Sequence, residues 1–145
     1  MRDKPLETKL RLLTLQLESW KRLHDFITYG LDKAKPIISA EQERQFTEVR
    51  AYLLQETEFV FTELSVLKDL SGKAMNVLQR ACSIRSIRDL GNDEIRRLEM
   101  DWNGIFTKLG VLQGQLKGQR KQLAALSAWA YYYQRFVGRP VPAAS

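Results

Sequence analysis

Few side chains in this sequence of 145 residues suit catalysis. There is one histidine, His24, and one cysteine, Cys82. Acid–base or metal chemistry needs partners around such a residue, and no Glu-x-x-His pair is present to suggest the two-metal site of a helical bundle. His24 falls on an apolar helical stripe, where a satisfied, partly buried structural histidine is expected. Cys82 follows Ala81 on another such stripe and is expected to be a small core residue rather than a nucleophile. A lone cysteine excludes an intramolecular disulfide and fits a reducing, cytoplasmic setting. Gly110-x-x-x-Gly114-x-x-x-Gly118 has neither the loop context nor the Lys-Ser/Thr ending of a phosphate loop. No catalytic residue, metal ligand or cofactor is therefore expected, and the chain reads as non-enzymatic.

Charge is the second kind of chemistry available. The net charge is +6, unevenly spread: residues 39–70 carry seven acidic and three basic side chains, and residues 93–145 carry eight basic and four acidic. No acidic residue follows Asp101, which leaves Lys108, Lys117, Arg120, Lys121, Arg135 and Arg139 unopposed in sequence. Such a cluster is what phosphate recognition requires, so nucleic acid or an anionic lipid surface is one partner class for the basic face of Lys108, Lys117, Arg120, Lys121 and Arg135. The competing expectation is that the acidic second helix, with Glu41, Glu43, Glu48, Glu56, Glu58 and Glu63, runs antiparallel to this face and neutralises it.

The elements carrying these groups are helical. From residue 92 to 137, steps of three and four give Ile95, Leu98, Trp102, Ile105, Leu109, Leu112, Leu116, Gln119, Leu123, Leu126, Ala130, Tyr133 and Val137, with no proline between. That spacing keeps side chains on one face, and a seven-residue repeat this long is typical of coiled-coil-like seams. The helix would be roughly 65 Å long. A similar repeat runs from Leu6 through Leu13, Trp20 and Ile27, and Pro36 should end that helix near Ala34. Ser39-Ala-Glu-Gln42 is a capping box that opens a second helix. Its seam crosses Ser71-Gly72 without losing phase, which favours one helix over residues 40–85; a break at Ser71-Gly72 would instead make four helices. Asp89-Leu-Gly-Asn-Asp93 is the clearest turn, with Gly91 suited to the left-handed position and Asn92 to capping the last helix.

The predicted fold is all-α, an antiparallel up-down-up bundle of three long helices over residues 1–138, with a flexible tail at 139–145. Trp20 and Trp102, with Ile95-x-x-Leu98-x-x-x-Trp102, resemble the pattern of the spectrin repeat, a three-helix bundle with a tryptophan in its first and third helices. The resemblance is one of pattern, a shared packing solution rather than kinship, and implies only the fold. The charged opening Met1-Arg-Asp-Lys-Pro leads into an amphipathic run, so no secretory signal is expected. The densest late apolar run, 123–133, is too short to span a bilayer.

Unequal helix lengths then give the functional expectation. In a three-helix arrangement, residues 69–102 would extend about 20 Å past the first helix. That hairpin carries Val77, Leu78, Ile84, Ile87, Ile95, Leu98 and Trp102, an apolar set that two helices alone cannot cover. With Trp129, Tyr132 and Phe136 in the last turns, these form the candidate surface for self-association, a homodimer, or for another protein partner. The other expectation for those last aromatics is that they cap the bundle around Pro36, Ile37 and Ile38. The Gly110, Gly114 and Gly118 strip is expected to face either a tight helix contact, within the chain or between chains, or open solvent.

Overall fold

A computed structural model describes residues 4–32, 34, 38–66 and 68–137. The described residues form five helices and no strand: α1 (Lys4–Leu31), α2 (Ala40–Glu63), α3 (Lys68–Arg80), the short α4 (Ile84–Arg88) and α5 (Asn92–Val137). The Pro36 turn and the tail expected at 139–145 lie outside these residues.

α2 starts where the capping box places it. Ser39 Oγ accepts from the Gln42 amide at 3.1 Å, and Gln42 Oε1 accepts from the Ser39 amide at 2.8 Å, so two orphan donors of the first turn are satisfied. Glu41 and Glu43 add negative charge at the positive end of the helix dipole.

The expected continuous helix over 40–85 is not what forms, and the break is not at Ser71-Gly72, which lies inside α3. α2 ends at Glu63 because the backbone reverses at Ser65, whose φ of 56° is left-handed. The Val66 amide donates to Phe61 O at 2.9 Å and the Ser65 amide to Thr62 O at 3.1 Å. That pair of bonds is the Schellman closure, with serine standing where glycine is usual. A left-handed serine costs about 1–2 kcal/mol, offset here by the satisfied carbonyls and by burial of Phe61 and Leu64.

This extra reversal sets the direction of everything after it. α1 and α2 are antiparallel: Phe26 meets Phe46 edge-on and Gln16 meets Thr57. α3 returns beside α2, where Arg50 Nε donates to Leu78 O at 2.9 Å. α5 then runs antiparallel to α3, with Arg80 and Asp101 3.5 Å apart, and also antiparallel to α1. Trp102 Nε1 donates to Trp20 O at 2.8 Å, and Gln113 Nε2 to Thr14 Oγ1 at 3.4 Å. Hence α1 and α3 point one way, α2 and α5 the other. The up-down-up order of three helices is replaced by four long helices around one apolar cluster.

α4 closes one end of this packet. Ser83 and Ser86 cap each other reciprocally, and Glu43 Oε1 accepts from the Ile84 amide at 2.6 Å. Ile84 and Ile87 are fully buried against Gly30, where an added Cβ would lie 3.0 Å from both Ile84 O and Ile84 Cγ2. Arg88 Nε donates to Gly30 O at 2.9 Å and satisfies a terminal carbonyl of α1. The last turn departs from expectation: Gly91 is not in the left-handed region, and Asn92 is the first residue of α5 rather than its cap.

Candidate functional site

His24 is held as a structural histidine would be. Its Nε2 lies 2.9 Å from Glu99 Oε2, and its ring stacks on Trp102 at a centroid distance of 4.0 Å, with Phe106 stacked beyond. The imidazole and this one carboxylate tie α1 to α5. Among the described residues no group of three His, Cys, Asp or Glu side chains is placed to hold a metal ion. Cys82 is not in the core as expected. α3 has ended at Arg80, so Ala81 takes the buried position and Cys82 is left exposed in the link, donating to Gln79 O.

The predicted apolar overhang at 69–102 is overturned. Val77, Leu78, Ile84, Ile87 and Leu98 are fully buried, Trp102 is 8% exposed and Ile95 is half-buried. The reversal at Ser65 returns this segment along α2, so α1, α2 and α4 cover what the three-helix arrangement left bare.

The uncovered surface is at the other end of the same long helix. Because α5 is antiparallel to α1, the start of α1 lies level with the middle of α5, and Glu7 and Arg120 approach within 3.7 Å. The stripe is buried at Leu98, Ile105, Leu109 and Leu116. Beyond that it continues on helix whose apolar side chains are exposed among the described residues. Leu123 is 37% exposed, Leu126 64%, Trp129 65% and Tyr133 46%. Residues 117–137, here called the arm, extend α5 by roughly 30 Å.

The arm has two sides. At about 100° per residue, Leu123, Leu126, Trp129, Ala130 and Tyr133 share one face. Lys117 and Lys121 lie on the opposite one, both exposed, with Tyr131 and Tyr132 toward that side. Trp129 and Tyr132 are thus exposed as candidate surface residues and neighbour each other, with Trp129 at the edge of the apolar face and Tyr132 about 60° further toward the lysines. They do not cap the turn near Ile38, which lies at the far end of α1. Arg135 and Phe136 continue the helix, and their side chains lie outside the described residues. Lys108 is exposed lower down, in a groove with Val66, Asp69, Leu70, Lys73 and Gly104. The candidate basic face is therefore split between the packet and the arm.

Neutralisation of this face by α2 is not what the ion pairs show. Glu41 and Glu48 pair with Arg44 on their own helix; among the ion pairs of the described residues, the one reaching the arm comes from Glu7. Arg44 and then the Gln45 amide hold the Glu41 carboxyl down at about 2, while Glu41 raises Arg44 further. Burial raises the Tyr52 hydroxyl above its ordinary value, Glu56 adds to that and Gln16 opposes it. Among the described residues the glycine strip makes no tight contact: a Cβ at Gly110, Gly114 or Gly118 would meet nothing within 4 Å.

Sequence reasoning missed two buried residues, Gln16 between α1 and α2 and Gly30 where α4 packs on α1. Gln16 is fully buried, with its Oε1 accepting from Trp20 Nε1 at 2.9 Å. It hid because an amide does not read as core, although it sits three residues from Leu13 and four from Trp20. Gly30 hid likewise, although it lies three residues after Ile27. No helix of the described residues is long and apolar enough to cross a membrane. No protein-family model, curated protein or solved structure matches the chain.

Proposed function

We propose that this chain is a non-enzymatic protein–protein interaction module whose contact surface is the arm. One observation carries the reading: the apolar stripe buried as far as Leu116 continues, uncovered, through Leu126 and Trp129. Exposed apolar surface that is contiguous, aromatic and bordered by polar groups marks contact sites in folded proteins. A helix presenting anchors at three- and four-residue spacing is one of the recurring ways of meeting a partner. Folding needs none of these side chains on the surface, since the packet is complete without them.

A photo-crosslinking amino acid at Trp129, with Leu15 on the outer face of α1 as the control, tests this in cells. Protein adducts at 129 and few at 15 are expected. Equal yields at the two sites, or adducts at 129 to nucleic acid alone, would overturn it.

A second reading rests on Lys117 and Lys121, which are exposed with no carboxylate paired to them among the described residues. On that reading the basic side of the arm binds nucleic acid or an anionic membrane surface. Mobility shift and liposome pelleting at two salt concentrations separate the two readings, because phosphate binding collapses as salt rises.

A further inference from the structure

Resting on the reading of the arm as a protein contact surface, we infer that the partner is a second copy of this chain, with the two arms paired antiparallel through their apolar faces. The first argument is continuity. Within one chain the α5 stripe is covered by an antiparallel helix, α1, and among the described residues that cover ends with the first turn of α1, where Glu7 lies beside Arg120. A second arm, antiparallel to the first, supplies the same kind of neighbour for the rest of the stripe.

The second argument is the spacing. The positions 123, 126, 130 and 133 are symmetric about residue 128. Turning one arm over sets Leu123 level with Tyr133 of the partner subunit and Leu126 level with Ala130 of the partner subunit. The central layers then set a leucine against a small residue, as close packing favours, and the outer layers set a leucine against an aromatic. Antiparallel arms also place the two packets at opposite ends of the pair, where they do not collide, and align the helix dipoles favourably.

The third argument is charge. Two chains of net charge +6 repel, so self-pairing needs a contact face without cations. The arm has one: Gln119, Gln122, Leu123, Leu126, Trp129, Ala130 and Tyr133 lie together by helical spacing and none is charged. Lys117 and Lys121 lie roughly 140–180° around the helix from the centre of that face, by the same spacing. They stay in water while the stripes meet. An acidic partner would instead be drawn to the lysine side and leave the stripe bare.

The test uses the full chain, in light scattering at low and high salt. A dimer mass at both, with association no weaker at high salt because like charges are screened, is expected. Leu126→Glu should give a monomer with unchanged helicity, whereas Lys121→Glu should leave the dimer intact. Orientation is read on a Cys82→Ser background: Leu126→Cys chains mixed with Ala130→Cys chains should cross-link to each other far better than either cross-links alone. A monomer at ~100 μM, loss of the dimer in Lys121→Glu, or efficient cross-linking of each cysteine variant with itself overturns the proposal. Adducts from position 129 to other proteins, with this chain monomeric, would sink the second copy and leave the contact-surface reading standing; no protein adducts would end both.

Discussion

Leu109 and Leu126 lie on one stripe of one helix, yet the first is wholly buried and the second is 64% exposed. Local sequence does not distinguish them, since both sit among leucines at three- and four-residue spacing. What separates them is the reach of the neighbours. α1, starting at Lys4 and running antiparallel, lies level with α5 only as far as Arg120 or slightly beyond, and α3 covers the opposite flank lower down, around Asp101 to Lys108. A seam therefore declares which face of a helix seeks cover, while chain direction and the lengths of other helices decide which part of that face receives it.

The sharpest way to break this comparison is to truncate both leucines. Leu109→Ala should cost about 2–5 kcal/mol in denaturant unfolding, through lost transfer energy and the cavity left behind. Leu126→Ala should stay within about 0.5 kcal/mol when the chain is dilute, as surface changes do. Equal losses would mean that the arm is buried within a single chain.

Two glycines extend the contrast with a change of sign. Gly30→Ala drives a Cβ to 3.0 Å from the Ile84 backbone oxygen, which neither backbone can yield cheaply. Overpacking of this kind costs about 1–3 kcal/mol, enough to outweigh the helix propensity that alanine brings. Gly114→Ala meets nothing within 4 Å and should stabilise by up to ~1 kcal/mol from propensity alone. Thermal melts of the two variants should move in opposite directions. A destabilising Gly114→Ala in a dimeric sample, but not in a dilute one, would move the glycine strip into the interface.

Those residues also mark what could be read in advance. The helical class, the Ser39 cap and the α5 stripe follow from local rules: periodicity, a hydroxyl three residues before a glutamine, and the absence of proline. The layout does not, because it turns on Ser65. A serine in a left-handed closure carries no advance signal, whereas Gly72, which looks like a break, sits on an exposed position of α3 where its freedom goes unused. Placing the reversal wrongly turned α5 end for end relative to α1. With that placement the uncovered surface falls at 69–102 and leaves Val77, Leu78 and Ile87 exposed, whereas in the fold they are core. That a long helix outreaches its neighbours was legible; which end of it does so was not. Ser65→Gly tests the closure: relief of the left-handed strain, less the extra freedom of glycine in the unfolded chain, should stabilise by about 0.5–1 kcal/mol. A loss of stability would mean that the serine side chain contributes to holding the turn.

The smallest effect concerns the covered end of the molecule, where α2 begins. Glu41 has its carboxyl lowered from 4.5 to about 2, first by the hydrogen bond from Arg44 and then by that from Gln45. A carboxylate depressed on folding contributes its stability fully above the unfolded value and loses it as pH falls through the folded one. The pair therefore acts undiminished down to about pH 4.5 and is silent below about 2. Both side chains are more than half exposed, so solvent screens the interaction and its contribution is slight. Carboxyl resonances followed by NMR should show Glu41 titrating near 2 in the parent and higher in Arg44→Gln, though still held below its ordinary value by Gln45, with the variant losing slightly less stability over the acid interval. Dimerisation through the arm should not respond to Arg44→Gln at all, because this pair lies at the opposite end of α2 from the reversal that brings the chain up beside α5. A response there would carry the contact surface down the flank of the packet and erase the division between the two halves of α5.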